Sequence, residues 1–570
     1  MKKGFYSNTI VLLVFIMAGC TPTLPDNLSF VEEKEVYGNI SKIRNVLSNV
    51  YNGLPGGYND IGASWLAAAS DEAEEVNNSE PIQLFNLGNI TTAYNPDDVW
   101  EKHYHSIYDA MMFLKGTDTV TWKNLEITNP TEYASRRTLT KQYRAEARFL
   151  IAFFYFELVK RYGGVPLVDK LIDRNSHWME NYPRKSFAEC IDHIIYYCDS
   201  AAVDLPPTQD AGNHGRATKA AALALKARTL LYAASELYNQ PGNSDPLRGY
   251  TDGNRTSRLL LAAEANKAII DYTPAFAFHA NYEGLSHLGT TKSNEVIFER
   301  RLPASNSFEK LNMPVGFSLG QTGTCPSANL VDAYEQKNGA PFDWSDPALA
   351  ADPYANRDPR LLKTVVVNYS TYGKDADSVH AYIGGAHGFP RDRATKTGYY
   401  LRKYVDEVLD LTLNERSAKQ WVYMRLAEFY LNYAEAMNEL YGADAAGPGT
   451  LTMTARAAVN SLRTRAAVNL PALPAGYTLE EMREAIRHER QVELAFEGHR
   501  FWDLRRWMMA GQTLGAPLRG VRIEKQNDGQ INYTPMVVEN RVWHDRLYFY
   551  PIPQTEVIKL NGVIVQNKGW

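Results

Sequence analysis

The sequence predicts a mainly α fold, a tetratricopeptide-like array of paired helices carrying long irregular loop insertions. Three observations lead there. Apolar residues recur at helical spacing in paired segments rich in Ala and Tyr, AAALALKARTLLYAA and AEFYLNYAEAMNE among them, where small side chains let helices approach closely. The segment AEARFLIAFFYFELVKRY at 145–162 is apolar almost all round in its middle, which places it at the centre of the array. From 282 to 419 the pattern changes to Gly, Pro, Asn and Asp with only short strand-like runs such as 364–367, and so long an irregular stretch inside a compact protein is usually functional.

The chain opens with Lys2 and Lys3, an apolar run from Ile10 to Met17, and Ala18-Gly19 before Cys20. That is the order of an export leader, 1–19, and its apolar run is shorter than the roughly 20 residues a bilayer span needs. Small residues ahead of a cysteine resemble a bacterial lipobox, so Cys20 is the expected lipidation site. Several acyl chains together hold a protein stably at a membrane surface. Residues 20–28, with Pro22 and Pro25 and no apolar pattern, form the expected tether. A single body then spans 29–570, with scaffold at about 29–280 and 420–510, the insertion at 282–419 and a C-terminal segment at 511–570.

Within the scaffold the spacing predicts helices over 31–51 and 97–114, the central 145–162 helix stopped by Gly163-Gly164 and Pro166, and its partner over 187–203. Further pairs follow at 217–238 with 259–272 and at 421–441 with 454–467. A long helix is expected from Thr478 to about Met509, Thr478 capping a first turn that holds Glu480 and Glu481.

Sixty Lys and Arg against 65 Asp and Glu leave a net charge of −5, which becomes −7 when a leader carrying Lys2 and Lys3 is removed. No basic excess exists to neutralise a phosphate backbone, so nucleic acid is not an expected partner. The unusual feature is aromatic, with 35 Tyr outnumbering 21 Phe. Cys190 and Cys198 are eight residues apart on one predicted helix, about 12 Å along its axis and beyond the roughly 7 Å reach of a disulfide. With Cys325 they make an odd number once Cys20 is lipidated, and no disulfide framework is expected.

Catalytic motifs lack their contexts. Gly316-Phe317-Ser318-Leu319-Gly320 fits the G-x-S-x-G nucleophile pattern, but that pattern works on a strand-to-helix turn in an α/β sheet, and no such alternation flanks it. Asp71, Glu72, Glu74 and Glu75 could supply a glycosidase acid and nucleophile only if two carboxylates converged across a sugar; a solvated helix start explains them more simply. His103 and His105, two apart on a helix, diverge. No HExxH, paired CxxC, P-loop or EF-hand sequence is present, so no catalytic residue, metal ligand or cofactor is expected.

Two longer blocks carry a resemblance. AEARFLIAFFYFELVKRYGGVPL (145–167) and IRHERQVELAFEGHRFWDLRRW (486–507) are similar to the signatures of SusD/RagB-family lipoproteins, the second through Glu489-Arg490, Glu493, Glu497-Gly498, Arg500-Phe501, Asp503-Leu504 and Arg505-Arg506-Trp507. RATKAAALALKARTLLYAA, DAYE, DPR, RLAEFYLNYAEAMNE, LYFYPIP and the terminal QNKGW extend the match across nearly the whole chain. The resemblance implies a tetratricopeptide-like scaffold without catalytic activity, lipid-anchored in the outer membrane and exposed at the cell surface. There it would cap a SusC-like TonB-dependent transporter and close over glycan. Thr21-Pro22-Thr23-Leu24-Pro25 departs from the pattern by lacking the acidic cluster that often follows the lipidated Cys. The signature helices, Arg505 and Trp507 included, are expected to be structural, held by buried Arg-carboxylate networks.

Sugars offer apolar C–H faces and a ring of hydroxyls, so their recognition calls for flat aromatic rings with carboxylate, amide or guanidinium groups beside them. In the family such groups come from loops early in the chain and from the mid-chain insertion. The positions that fit are Asn59, Asp60, Trp65, Asp71, Trp100, Trp344, Arg393 and Tyr399. Asp60 and Trp65 adjoin a Gly-rich loop through which a ligand can approach the backbone. Net acidity favours a neutral glycan such as a fructan or α-glucan. Two other classes compete, a peptide importer on the same scaffold and a tetratricopeptide-type adaptor for partner proteins.

Overall fold

The computed structural model describes residues 33–172, 182–287, 289, 291–317, 319–560 and 562–570. The leader, Cys20 and the tether lie outside the described residues.

Ten helices make the scaffold: α1 (Ile40–Tyr51), α2 (Trp100–Asp118), α3 (Pro130–Tyr162), α4 (Phe187–Asp204), α5 (Lys219–Ala234), α6 (Arg255–Ile270), α7 (Leu426–Tyr441), α8 (Ala455–Arg463), α9 (Leu479–Glu493) and α10 (Arg500–Arg506). From α1 to α7 each helix packs on the next, and α7 then takes both α8 and α9. Chain order is therefore spatial order, as in a helical-repeat array. At the centre is α3, whose second half buries Phe149 to Leu158 on every side, as its unbroken apolar run requires. Pro130 at its first position and Asn129, which accepts from the Glu132 N–H (3.2 Å), start α3 well before the apolar run, and Gly163 at φ +75° ends it. Cys190, Cys198 and Cys325 are buried and free.

The acidic run 71–75, expected as a solvated helix start, is buried, with Ala73–Glu75 paired as a strand against Thr324–Pro326, and three helix expectations also need correction. The helix expected over 31–51 is broken at Gly38-Asn39, where Asn39 caps α1. The helix expected to start at 421 begins at Leu426, because Trp421 to Arg425 complete strand β2 (Ser417–Arg425), which pairs antiparallel with β1 (Val296–Ser305), Glu299 opposite Val422. The long helix expected over 478–509 stops at Glu493 and restarts at Arg500. Between the two, Phe496 (φ +62°) and Gly498 (φ +77°) adopt the left-handed conformation that no helix continues through. Its start is as expected, with Thr478 and Glu481 capping each other's backbone N–H groups. The C-terminal segment contributes a hairpin, β3 (Leu518–Lys525) with β4 (Ile531–Glu539).

The charges of the 486–507 block form a buried network. Glu493, fully buried, accepts from Arg360 (2.8 Å), Arg425 (2.8 Å) and Arg465 (2.7 Å). Glu489 takes Arg360 (2.6 Å) and Arg463 (3.1 Å), Glu497 takes Arg425 (2.7 Å) and Lys403 (2.7 Å), and Asp503 takes Arg490 (2.6 Å) and Arg506 (2.8 Å). Arg360 comes from the DPR triplet, so the network bolts the insertion to α9. Arg505 donates to the Leu547 and Phe501 carbonyls (both 3.2 Å), and the Trp507 indole N–H reaches Glu435 (3.1 Å). Both residues are committed to structure, as their surroundings in the sequence suggested.

Candidate functional site

The insertion ends in a surface of rings. Residues 367–372 and 377–382 run together through a short strand pair, Thr371–Tyr372 against Asp377–Ser378, and its neighbours continue the contact with Tyr369 N–H donating to the Val379 carbonyl (2.7 Å). This brings Tyr369, His380 and Tyr382 side by side, with ring centroids 5.6 Å apart from Tyr369 to His380 and from His380 to Tyr382, and 6.1 Å from Tyr369 to Tyr382. Tyr369 is 44% exposed although its backbone sits at φ +66°. A bulky residue in the left-handed region costs about 1–3 kcal/mol, and strain of this kind clusters where a side chain has to be displayed. Ser370 steadies the turn through its N–H to the Val367 carbonyl and its hydroxyl to the Val367 N–H (both 3.0 Å).

Neighbouring segments extend the surface. Lys525 on β3 places its ammonium 5.4 Å from the Tyr382 ring. Phe389 is 66% exposed. Phe317 stacks on His387 at 4.5 Å and 14°. Burial, with His380 and Arg391 nearby, pushes the His387 imidazole down to about 4, so it is neutral at pH 7 and its Nδ1 accepts from the His380 N–H (3.0 Å). Arg393 donates through Nε to the Gln321 carbonyl (2.9 Å), which leaves its terminal nitrogens without a protein partner among the described residues. At the other edge Lys396 donates to the Glu75 carbonyl (2.7 Å) and to the exposed Asn78 amide oxygen, joining the early 76–80 loop to the insertion. Tyr369, His380 and Tyr382 thus form one ring cluster, joined to Phe317 and His387 through the His380–His387 contact at 6.3 Å.

Of the residues singled out by sequence, Arg393 is tied to Gln321, four residues beyond Phe317, and Tyr399 lies behind the rings. Tyr399 is fully buried against Tyr354, which meets Tyr533; the Tyr533 hydroxyl accepts from Asn368 (3.4 Å), and Asn368 accepts from the Ala381 N–H (2.9 Å). Tyr399 therefore supports the platform and offers no ring face of its own. Asn59, Asp60 and Trp65 gather at a separate cleft of about 120 Å³ that Asp60 and Trp65 line. Asp60 accepts from the Gly57 N–H (2.8 Å), and Asn59 takes the left-handed conformation (φ +50°). Trp65 is buried in a cluster with Tyr58, Trp421 and Phe496, stacked on the last at 5.7 Å. Asp71 is buried and chelated by Arg500 (two contacts of 2.8 Å). Trp100 is buried against Tyr104 and Tyr162 behind an apolar cleft of about 360 Å³. Trp344, half-buried, donates to Asp332 (3.1 Å) and meets the Phe342 ring edge-on at 5.0 Å. Trp65, Asp71, Trp100 and Tyr399 are thus buried, Trp65 and Trp100 keeping only the little surface that borders their clefts, because a loop residue's chemistry is legible in sequence and its depth is not.

Sequence reasoning missed Tyr369, Tyr382, Phe389 and Phe317. For Tyr369, Tyr382 and Phe389 the signal was present as aromatic residues spaced through the turn-forming stretch NYSTYGKDADSVHAYIGGAHGFP.

Fold and face together define the class, a tetratricopeptide-like scaffold bearing a loop-built aromatic surface. Two family models match, the SusD family over residues 292–570 and a family described as starch-binding associating with outer membrane over residues 31–231. The chain belongs to the SusD/RagB family. It is similar to a SusD-like protein of Bacteroides fragilis, 26% identical with a TM-score of 0.77, the match covering 95% of this chain and 99% of that one. A SusD-like carbohydrate binding protein of the same organism is 24% identical with a TM-score of 0.73 over 93% and 99% of the two chains. A laminarin binding SusD-like protein shares the fold at 20% identity and a TM-score of 0.59, again over 93% and 99%. Among curated sequences, a SusD-like protein of Formosa agariphila is 22% identical over 98% of this chain and 97% of its own length.

Proposed function

We propose that this protein is a cell-surface glycan-binding lipoprotein, anchored through Cys20, that captures neutral oligosaccharides and serves as the lid of a SusC-like TonB-dependent transporter. The observation that carries the reading is the strained, solvent-facing Tyr369 beside Tyr382. Such rings take the C–H faces of sugars, while Arg393 and Asn78 can meet hydroxyls in pairs. Structural neighbours described as carbohydrate binding and laminarin binding support sugar over peptide as the cargo. The reading includes no hydrolysis. Asp71, Glu72 and Glu74, which could have supplied a catalytic pair, are spent on Arg500, the Phe496 N–H and Arg541.

Calorimetry with α-glucan, fructan and β-glucan oligosaccharides tests the capture step. Stacking on one aromatic platform is worth about 1–3 kcal/mol in single-stranded nucleic acid complexes, and the same scale applied to sugar gives a 5- to 150-fold loss of affinity for Tyr369→Ala. Unchanged binding in Tyr369→Ala and Tyr382→Ala would remove the face from the proposal, and accumulation of shorter oligosaccharides would refute the non-catalytic reading. For the anchor, Cys20→Ala should leave the membrane fraction when no barrel partner is expressed. For the lid, a TonB-dependent barrel should copurify in detergent through an interface larger than about 2,000 Å².

A further inference from the structure

A second cleft, of about 260 Å³, opens between the 207–218 connection leading into α5, the turn 272–276 after α6, and strand β1. It shares no residue with the aromatic face. Tyr272 and Phe276 line it, both half-buried, with rings 5.8 Å apart and 28° from parallel. Hydrogen-bonding groups with spare capacity surround them. Gln209 donates its amide N–H to the Ala217 carbonyl (2.9 Å), which leaves its side-chain oxygen as an acceptor. The side chains of His214, Lys292 and Asn294 also line the cleft and make no hydrogen bond among the described residues.

The decisive group is Glu299. It is 5% exposed, its Oε1 accepts from Arg301 Nε (3.0 Å), and its Oε2 is buried with no hydrogen-bond partner. Buried polar atoms are nearly always paired, so an orphaned carboxylate oxygen in the wall of a cleft points to a donor supplied from outside. Arg216 is committed to Glu146 (2.9 and 3.1 Å), as Arg301 is to Glu299, so among the described lining residues Lys292 alone adds unbalanced charge. That composition suits a neutral ligand with hydroxyl donors and an apolar face. The volume falls below the roughly 300 Å³ at which sites enclose drug-sized ligands, which suits a terminal sugar ring better than a long chain.

We propose that this cleft is a second, independent saccharide subsite, in which Tyr272 and Phe276 take the ring face and Gln209, Asn294 and Glu299 take hydroxyls. The inference rests on the reading of the protein as a binder of neutral oligosaccharides. Hydrogen exchange and calorimetry on the full chain test it, with α-glucan, fructan and β-glucan tetrasaccharides as probes. The expected result is protection of 207–218 and 272–276 by at least one probe, retained in Tyr369→Ala. Affinity at that site should fall 5- to 150-fold in Tyr272→Ala, with Phe276→Ala as a second variant of the same platform. Protection confined to 315–322 and 367–393 would uphold the aromatic face and overturn the subsite. Protection at the cleft alone would uphold the subsite and overturn the face, and no protection by any probe would overturn both. Unchanged affinity at the cleft in both ring variants would overturn the subsite.

Discussion

Replacing Glu493 by Gln tests the buried network that joins the insertion to the helical scaffold. The carboxylate is fully buried, with Oε1 accepting from Arg425 (2.8 Å) and Arg465 (2.7 Å) and Oε2 from Arg360 (2.8 Å) and Arg465 (2.9 Å). Gln keeps the shape and one acceptor, but it turns an NH₂ group toward guanidinium donors and removes the charge that three arginines share. Breaking one member of a buried ion pair costs about 3–5 kcal/mol, a large part of the 5–15 kcal/mol by which a domain is stable. Burial alone would raise the Glu493 pKa; Arg465, Arg425 and Arg360 outweigh it and hold the carboxyl well below the usual carboxylate range. A depressed carboxyl stabilises the fold above its unfolded pKa, near 4.5, and that contribution disappears as pH falls toward the folded value. Urea unfolding followed by tryptophan fluorescence should therefore show a large loss for Glu493→Gln at pH 7, with the two curves converging as pH is lowered from 5 toward 3. A loss under about 1 kcal/mol at pH 7, or a difference independent of pH, would refute the assignment of this network as the clamp.

Three further outcomes follow from local geometry. A Cβ on Gly57, at φ +81°, would lie 2.0 Å from Trp421 Cδ2, so Gly57→Ala should destabilise by about 2–5 kcal/mol through backbone strain plus overpacking. At Gly242, φ +71° with open space around it, alanine should cost only the roughly 1–2 kcal/mol of backbone strain, and equal melting temperatures for the two variants would contradict the packing argument. Burial pushes the Glu72 carboxyl up to about 8, so its ionisation opposes folding and stability declines as pH rises from near 4.5 through 8. Glu72→Gln keeps an acceptor for the Phe496 N–H (3.0 Å) and should gain on the wild type by about 1.4 kcal/mol per pH unit across that window, read from melts at pH 6 and pH 9; parallel melts would show that Glu72 is ionised throughout.

The scaffold was legible in the sequence because helix formation and helix pairing are local. Apolar spacing marks each buried stripe, Gly163 and the Thr478–Glu481 cap mark ends, and an unbroken apolar run such as 149–158 has nowhere to go but the centre. The structural role of the 486–507 charges was also readable, since so many ionisable residues on otherwise apolar helices need partners of opposite sign. Where helices yield to neighbours, local pattern failed. Trp421 to Arg425 belong to a strand because β1, more than a hundred residues earlier, supplies the pairing edge, and α9 ends because Phe496 and Gly498 turn the chain. The site was least legible of all. Sequence showed that Trp65, Trp100 and Tyr399 have rings suited to stacking, but whether a ring meets solvent or core depends on which segments cover it. Packing buried those three and exposed Tyr369 and Phe389. Composition and periodicity thus determined the frame and the chemical vocabulary of this protein. Only the tertiary structure decided which rings face water, because exposure is a property of contacts between segments distant in the chain.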